Sequence, residues 1–226
     1  MPYQRELVTL VQRELAARGD PEKAVAMAAY MKTEMPFYGV QKPARAEILR
    51  RVAAELAPST EDEYRKGIEA LWDLAHREEK YLAIAYARRF HRYITRAQLD
   101  LYERMIVEGA WWDFVDDIAA NLVGALLLDY RESMRPVMEA WIDDPDRWRR
   151  RAAILSQLRH KERTDAEMLF DFCRRRAHET EFFIRKAIGW ALREYSKTDP
   201  EAVAAFLRAE GDALSGLSRR EAAKHL

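Results

Sequence analysis

The chain has 226 residues, 49% hydrophobic and 34% charged, with 38 basic side chains balanced by 38 acidic ones. This composition excludes a disordered chain, and the length is sufficient to bury a sizeable core. The single cysteine, Cys173, excludes an internal disulfide and a cysteine-based zinc site. The longest uncharged apolar stretch, 118–128, is too short to cross a bilayer, and the N-terminal segment lacks the pattern of a signal peptide. We therefore expect a cytoplasmic monomer with no membrane partner, no metal and no cofactor.

Helices are predicted along almost the whole chain, because apolar residues recur at helical spacing and strand patterns are nearly absent. Helix starts are marked by Asp20 followed by Pro21, and by five Ser/Thr-x-x-Glu/Gln capping boxes beginning at Thr60, Thr95, Thr164, Thr198 and Ser218. In chain order the predicted helices are 3–17, 21–33, 43–56, 61–75, 78–91, 95–107, 111–127, 131–142, 146–158, 164–176, 180–195, 199–209 and 217–225.

The spacing of the predicted caps indicates a repeat. Thr60 and Thr95 are 35 residues apart, Thr164 and Thr198 are 34 apart, and the interval between Thr95 and Thr164 equals two such units. A period in the mid-thirties with two helices per unit is typical of an α-solenoid. No flexible linker interrupts the helices. We predict an all-α fold that forms one domain over residues 1–226.

The charges are unevenly distributed between the two ends of the chain. Residues 1–146 carry 20 basic and 26 acidic side chains, whereas residues 147–226 carry 18 basic and 12 acidic ones. A basic surface on one half of a protein is the electrostatic pattern of a nucleic-acid binder. Solvated helix faces also carry arginines, so the asymmetry alone supports DNA binding only weakly.

Two short segments carry the side chains best suited to chemistry. In a helix, Trp112 and Asp116 lie four residues apart on one face, and Trp190 and Arg193 lie three apart. A carboxylate beside an indole, with a second indole and a guanidinium elsewhere, could grip a cationic group next to a phosphate. Taken alone, Asp116 is more simply a cap or an ion-pair partner. Structural roles are expected for Asp113 and Asp117 as caps or outer-face residues, and for Trp72, Trp111, Trp141 and Trp148 in the core.

The sequence resembles the AlkD-type DNA alkylation repair glycosylases, which are built from helical HEAT-like repeats. The likeness runs over close to the whole chain, through Asp20-Pro21-Glu22-Lys23-Ala24, Trp111-Trp112-Asp113, Arg151-Ala152-Ala153-Ile154-Leu155 and Leu217-Ser218-Arg219-Arg220-Glu221-Ala222. It implies antiparallel helix pairs with a concave DNA-binding face. It also implies that Asp116 is catalytic, that Trp112 and Trp190 line the lesion site, and that Arg151 lies against the DNA backbone.

Further DNA-binding positions follow from the same resemblance and from the basic half of the chain. Tyr30, Gln41, Phe182 and Phe183 match lesion-side or DNA-facing positions of the family, although Phe182 or Phe183 could equally be packing residues. The remaining candidates, all able to bind phosphate, are Arg159, Lys161, Arg193, Arg219 and Arg220.

The activity implied is hydrolysis of the N-glycosidic bond of cationic alkylated purines, such as 3-methyladenine and 7-methylguanine, in duplex DNA. A base that is already cationic departs neutral, so one carboxylate suffices to stabilise the positive charge that develops on the sugar. The expected location is the bacterial cytoplasm, with the DNA of the nucleoid as substrate. Two alternatives stay open, namely a DNA-binding paralogue without glycosylase activity and a repeat protein that serves as a protein-interaction scaffold.

Overall fold

The computed structural model describes residues 2–226, and within this range it contains helices and no strand. The all-α prediction is confirmed. The chain divides into two compact units, Met1–Leu101 and Tyr102–Leu226. The prediction of one domain, and that of a solenoid with a concave face, stay predictions. No helix among the described residues is both long and apolar enough to span a membrane.

The first unit contains five helices, and a sixth crosses into the second unit. Their bounds are α1 Pro2–Ala17, α2 Pro21–Met31, α3 Lys42–Glu55, α4 Glu61–Trp72, α5 Arg77–Arg89 and α6 Leu99–Gly109. The predicted helix 95–107 is wrong at its start, because its first turn is a separate 3-10 turn, Arg96–Gln98.

The second unit contains eight more helices. Their bounds are α7 Trp112–Ile118, α8 Gly124–Asp129, α9 Arg131–Ile142, α10 Arg147–Leu155, α11 Ala166–Arg175, α12 Phe182–Tyr195, α13 Pro200–Glu210 and α14 Gly216–Ala222. The predicted helix 111–127 is divided between α7 and α8 by a π-helical segment, Ala119–Val123. Such π-helical turns widen a helix locally and are frequent at functional sites.

The predicted caps were confirmed at two helices and wrong at four. Asp20 caps α2, and the Thr60 hydroxyl accepts a hydrogen bond from the Glu63 amide at the start of α4. At α11 and α13 the adjacent aspartate, Asp165 or Asp199, takes the role of the predicted threonine. Ser215, three residues before the predicted Ser218, caps α14, and the Thr95 hydroxyl donates to Glu61. An aspartate beside a threonine is the stronger cap because its carboxylate also interacts favourably with the helix dipole.

Close backbone contact fixes the π-helical segment against the end of α10. A Cβ atom on Gly124 would lie 2.4 Å from the carbonyl oxygen of Ser156, so only glycine fits there. The buried imidazole of His160 adds a hydrogen bond from Nε2 to the Gly124 carbonyl at 2.9 Å. These contacts hold α7 and α8 in register with α10, the helix that carries Arg151.

Three of the tryptophans lie in the core, as predicted. Trp72, Trp141 and Trp148 are buried. Trp111 is only half-buried, so its assignment to the core is wrong. It is the residue that precedes α7, and there its ring lies against Trp148 and Phe183 with centroid distances of 6.2 and 5.5 Å.

Candidate active site

One cleft of about 470 Å³ in the second unit brings together most of the side chains singled out in the sequence. Its lining includes all four predicted catalytic residues and three of the predicted DNA-binding residues, namely Trp112, Asp116, Arg151, Trp190, Phe182, Phe183 and Arg193. Three further residues in the lining were not predicted: Lys186, Glu221 and Lys224. The cleft therefore combines two carboxylates and four cationic groups with four aromatic rings.

Asp116 and Arg151 form a two-bond ion pair in this cleft. Arg151 donates from Nε to Oδ1 of Asp116 at 2.6 Å and from Nη2 to Oδ2 at 2.8 Å. Its Nη1 donates to the carbonyl oxygen of Phe183. This paired, parallel geometry is the strongest form of an arginine–carboxylate interaction and fixes the carboxylate plane. The contact of Arg151 with a DNA phosphate stays a prediction.

The surroundings of Asp116 act on its acidity in opposite directions. Burial raises the pKa of the Asp116 carboxyl above its ordinary value, and the hydrogen bonds and charge of Arg151 oppose that shift. A carboxylate has about four lone-pair positions, and Arg151 uses two of them. Asp116 can therefore accept further hydrogen bonds from water or interact directly with a cation in the cleft.

The local sequence explains how these two side chains are presented. α7 places Trp112 and Asp116 one turn apart on a single face. On α10, Asp146 caps the first turn through the amides of Trp148 and Arg149. The helix then buries Arg151 with Trp148 on its inner side. Arg151 is 4% exposed, which is unusual for an arginine and is compatible with its charge only because Asp116 is present.

Glu221 is the centre of a second charged group in the lining. Its carboxylate accepts hydrogen bonds from Lys186 at 2.9 Å, from Lys224 at 3.0 and 3.2 Å, and from Arg193. Burial raises the pKa of Glu221, but the hydrogen bonds of the two lysines and the charge of Arg193 outweigh this effect and lower the pKa to about 2. Glu221 is therefore ionised at any physiological pH.

The two phenylalanines of the lining, Phe182 and Phe183, belong to an aromatic cluster that includes the buried Trp148. Phe183 lies against Trp148 with a centroid distance of 5.0 Å, and Phe182 lies 5.4 Å from Phe183. The two neighbours differ in exposure. Phe183 is half-buried and acts as a packing residue whose carbonyl binds Arg151, whereas Phe182 is 51% exposed and free to contact a ligand.

Four of the six charged residues of the lining recur at a constant interval. Asp116 and Arg151 are 35 residues apart, Arg151 and Lys186 are also 35 apart, and so are Lys186 and Glu221. The two ion pairs therefore join residues separated by the period that the sequence predicts. The four side chains come from α7, α10, α12 and α14, one from each.

The other predicted DNA-binding residues lie outside this cleft. Tyr30, which is 76% exposed, and Gln41 line a pocket of about 270 Å³ in the first unit. Lys161 lines a different pocket in the second unit, and Arg159, Arg219 and Arg220 are exposed. Their roles in DNA binding stay predictions. No group of three or more His, Cys, Asp or Glu side chains within residues 2–226 is arranged to hold a metal ion.

Comparison with known proteins gives matches that cover nearly the whole chain. The sequence profile of a family described as DNA alkylation repair enzyme matches residues 11–226. Among solved structures, a predicted DNA alkylation repair enzyme from Enterococcus faecalis is similar, with a TM-score of 0.84 and 30% sequence identity. That alignment covers 92% of this chain and 97% of the other. No curated protein sequence matches significantly.

Proposed function

The chain belongs to the family of DNA alkylation repair enzymes, and on this basis we propose that it is a DNA glycosylase that releases cationic alkylated purines from duplex DNA. The substrates are purines alkylated at N3 or N7, such as 3-methyladenine and 7-methylguanine, whose rings carry a formal positive charge. The product would be an abasic site for base excision repair.

The observation that carries the proposal is the composition of one cleft. Trp112 and Asp116 on α7 line the same space as Trp190 on α12. A lone surface aspartate would be ordinary, but an aspartate that is nearly buried, oriented by arginine and flanked by two indoles is suited to bind and stabilise positive charge.

Asp116 would act on the sugar. Cleavage of an N-glycosidic bond develops positive charge on the deoxyribose, as in glycoside hydrolysis. The Asp116 carboxylate would stabilise that cation and orient the water that attacks the anomeric carbon, while Arg151 keeps the carboxylate in place. Bond cleavage leaves the electron pair on the base, which departs neutral and requires no proton. A single carboxylate is then sufficient.

Trp112 and Trp190 would act on the base and the sugar through their ring faces. An indole face attracts cations, and the attraction is larger where water is excluded. The exposed ring of Phe182 extends this aromatic surface. The site therefore favours a positively charged nucleotide over a neutral one.

The charge of the cleft suits a DNA backbone. Its lining contains four basic side chains, Arg151, Lys186, Arg193 and Lys224, against the two carboxylates of Asp116 and Glu221. The excess of cations would attract phosphates, although the whole chain has a net charge of zero.

A panel of duplexes with one lesion each tests the proposal. The protein should release 7-methylguanine and 3-methyladenine, scored as free base and abasic sites under single-turnover conditions. It should leave uracil and hypoxanthine in place, because their departure requires a general acid. DNA binding without release would identify the non-catalytic paralogue. Absence of salt-sensitive DNA binding would instead favour the protein scaffold. Rapid release of uracil would contradict the mechanism.

A further inference from the structure

The cluster around Glu221 has no part in the chemistry assigned to Asp116. We propose that Glu221 is a positioning residue, which holds Lys186 and Arg193 on either side of Trp190 so that both cations bind backbone phosphates of the DNA. The inference rests on the proposed function for its substrate, and it adds Lys186 and Lys224 to the DNA-binding residues.

The spacing along α12 places the two cations beside the indole. Lys186, Trp190 and Arg193 follow one another at intervals of four and three residues, which puts all three on one face of the helix. All three line the cleft. A nucleotide in contact with Trp190 would therefore have a cation available one turn away in each direction.

Glu221 reaches both cations from a different helix. On α14, its Oε2 accepts a hydrogen bond from Lys186 at 2.9 Å, and its Oε1 accepts one from Arg193. The carboxylate thus ties side chains that are seven residues apart and too distant to organise each other. Without it, two long cationic side chains would spread over several rotamers.

Burial separates the roles of the carboxylate and the cations. The Glu221 side chain is 7% exposed, whereas Lys186 is 36% exposed, Arg193 24% and Lys224 53%. The carboxylate lies beneath the cations and is inaccessible to a phosphate, while the cations reach solvent. One negative charge faces three positive ones, so the cluster keeps a surplus of two for the DNA.

Backbone packing fixes the position from which Glu221 acts. A Cβ atom on Gly189 would lie 2.5 Å from the Cβ of Glu221 and 2.9 Å from the Ser218 carbonyl oxygen. α12 and α14 can approach this closely only because residue 189 is glycine. Glu221 therefore enters the cleft from a rigid support rather than from a mobile terminus.

A double-mutant cycle with undamaged duplex DNA tests positioning without relying on base release. If Glu221 orders Lys186, removing Lys186 should matter less once Glu221 is replaced. We expect Lys186→Ala to weaken binding about tenfold in the wild-type background at low salt, and less than about threefold in the Glu221→Gln background. We also expect Lys186→Ala and Arg193→Ala each to reduce the slope of log K against log salt by about one.

A matched control separates positioning from a general loss of stability. Glu210→Gln makes the same chemical change on α13, where Glu210 pairs with Arg174 outside the cleft lining. In the Glu210→Gln background, Lys186→Ala should lower DNA affinity as much as it does in the wild type. If Lys186→Ala lowers DNA affinity equally in the wild-type and Glu221→Gln backgrounds, the inference is overturned. Glu221 would then only connect α12 and α14. Unchanged salt slopes would overturn the assignment of the phosphate ligands.

A second variant and a second measurement cover the case in which Glu221→Gln fails to fold or the protein releases no base. If Glu221→Gln does not fold, Glu221→Asp keeps the charge on a side chain one methylene shorter, and the same cycle applies with that variant. Glu221→Gln should itself weaken binding of undamaged duplex, and at protein concentrations that saturate the DNA it should lower the single-turnover rate of 7-methylguanine release about tenfold or more. Wild-type protein that releases no base would refute the proposed function, whereas the binding cycle would still decide the role of Glu221.

Discussion

Asp116 and Arg151 lie 35 residues apart in the sequence and form a two-bond ion pair with N–O distances of 2.6 and 2.8 Å on side chains that are 12% and 5% exposed. Each partner makes the burial of the other possible. The pair thus explains how an ionised carboxylate can be kept in an aromatic cleft, and it makes the account open to test through either residue.

Replacement of Arg151 by alanine should destabilise the protein and impair base release. It leaves Asp116 nearly buried without a counter-charge, and loss of one partner of a buried pair costs about 3–5 kcal/mol. Arg151→Lys should cost less, because a lysine keeps the charge but not the paired geometry. Urea unfolding measures the loss of stability in both variants. As a control, Arg174→Ala breaks the exposed pair with Glu210 and should cost under about 1 kcal/mol. Equal losses for Arg151→Ala and Arg174→Ala would contradict the structural role of the pair.

The pH dependence of base release should report the ionisation of Asp116. Burial raises the pKa of this carboxyl above its ordinary value of 3.8, against the opposing effect of Arg151. A raised pKa means that protonation, and loss of the active carboxylate, begins at higher pH than for a solvated aspartate. The single-turnover rate, corrected for spontaneous depurination, should therefore fall on the acid side with a midpoint above 3.8. A rate that stays constant down to pH 4 would contradict a raised pKa for the carboxylate that the reaction uses.

The two adjacent tryptophans should respond differently to truncation. Trp112 lines the cleft, so Trp112→Ala should lower base release about tenfold or more with little change in stability. Trp111 packs against Trp148 and Phe183, so Trp111→Ala should act mainly on stability, by less than the roughly 3–5 kcal/mol of a fully buried aromatic residue. Melting curves measure the change in stability of Trp111→Ala and Trp112→Ala, and single-turnover rates measure their change in base release. The reverse pattern would exclude Trp112 from the lesion site.

A spacing of about 35 residues is visible in the sequence, but the pairing of particular charges is not. Caps near 35-residue intervals indicate that equivalent helices recur, and the pairs Asp116–Arg151 and Lys186–Glu221 have that separation. Which charged residues meet depends on the rotation of each helix about its axis. That rotation is set by packing such as the contact of Gly124 with α10, which no local pattern expresses.

The candidate site was predicted unevenly for a physical reason. Trp112, Asp116 and Trp190 stand out because indoles and a carboxylate at helical spacing are rare together, and the family resemblance names them. Glu221 gave no such signal. The sequence predicts only that it closes the capping box beginning at Ser218, whereas its burial arises because α14 packs closely on α12 at Gly189.

Release of 7-methylguanine by Asp116→Asn under single-turnover conditions, with DNA affinity measured in parallel, tests the central claim most directly. The substitution keeps the shape of the side chain and removes its charge, and Asp117→Asn provides the same change one residue further along α7, outside the cleft lining. Asp116→Asn should lower the rate by roughly a hundredfold or more while affinity stays within a few-fold. Asp117→Asn should stay near the wild-type rate. Base release by Asp116→Asn at the wild-type rate would contradict the account.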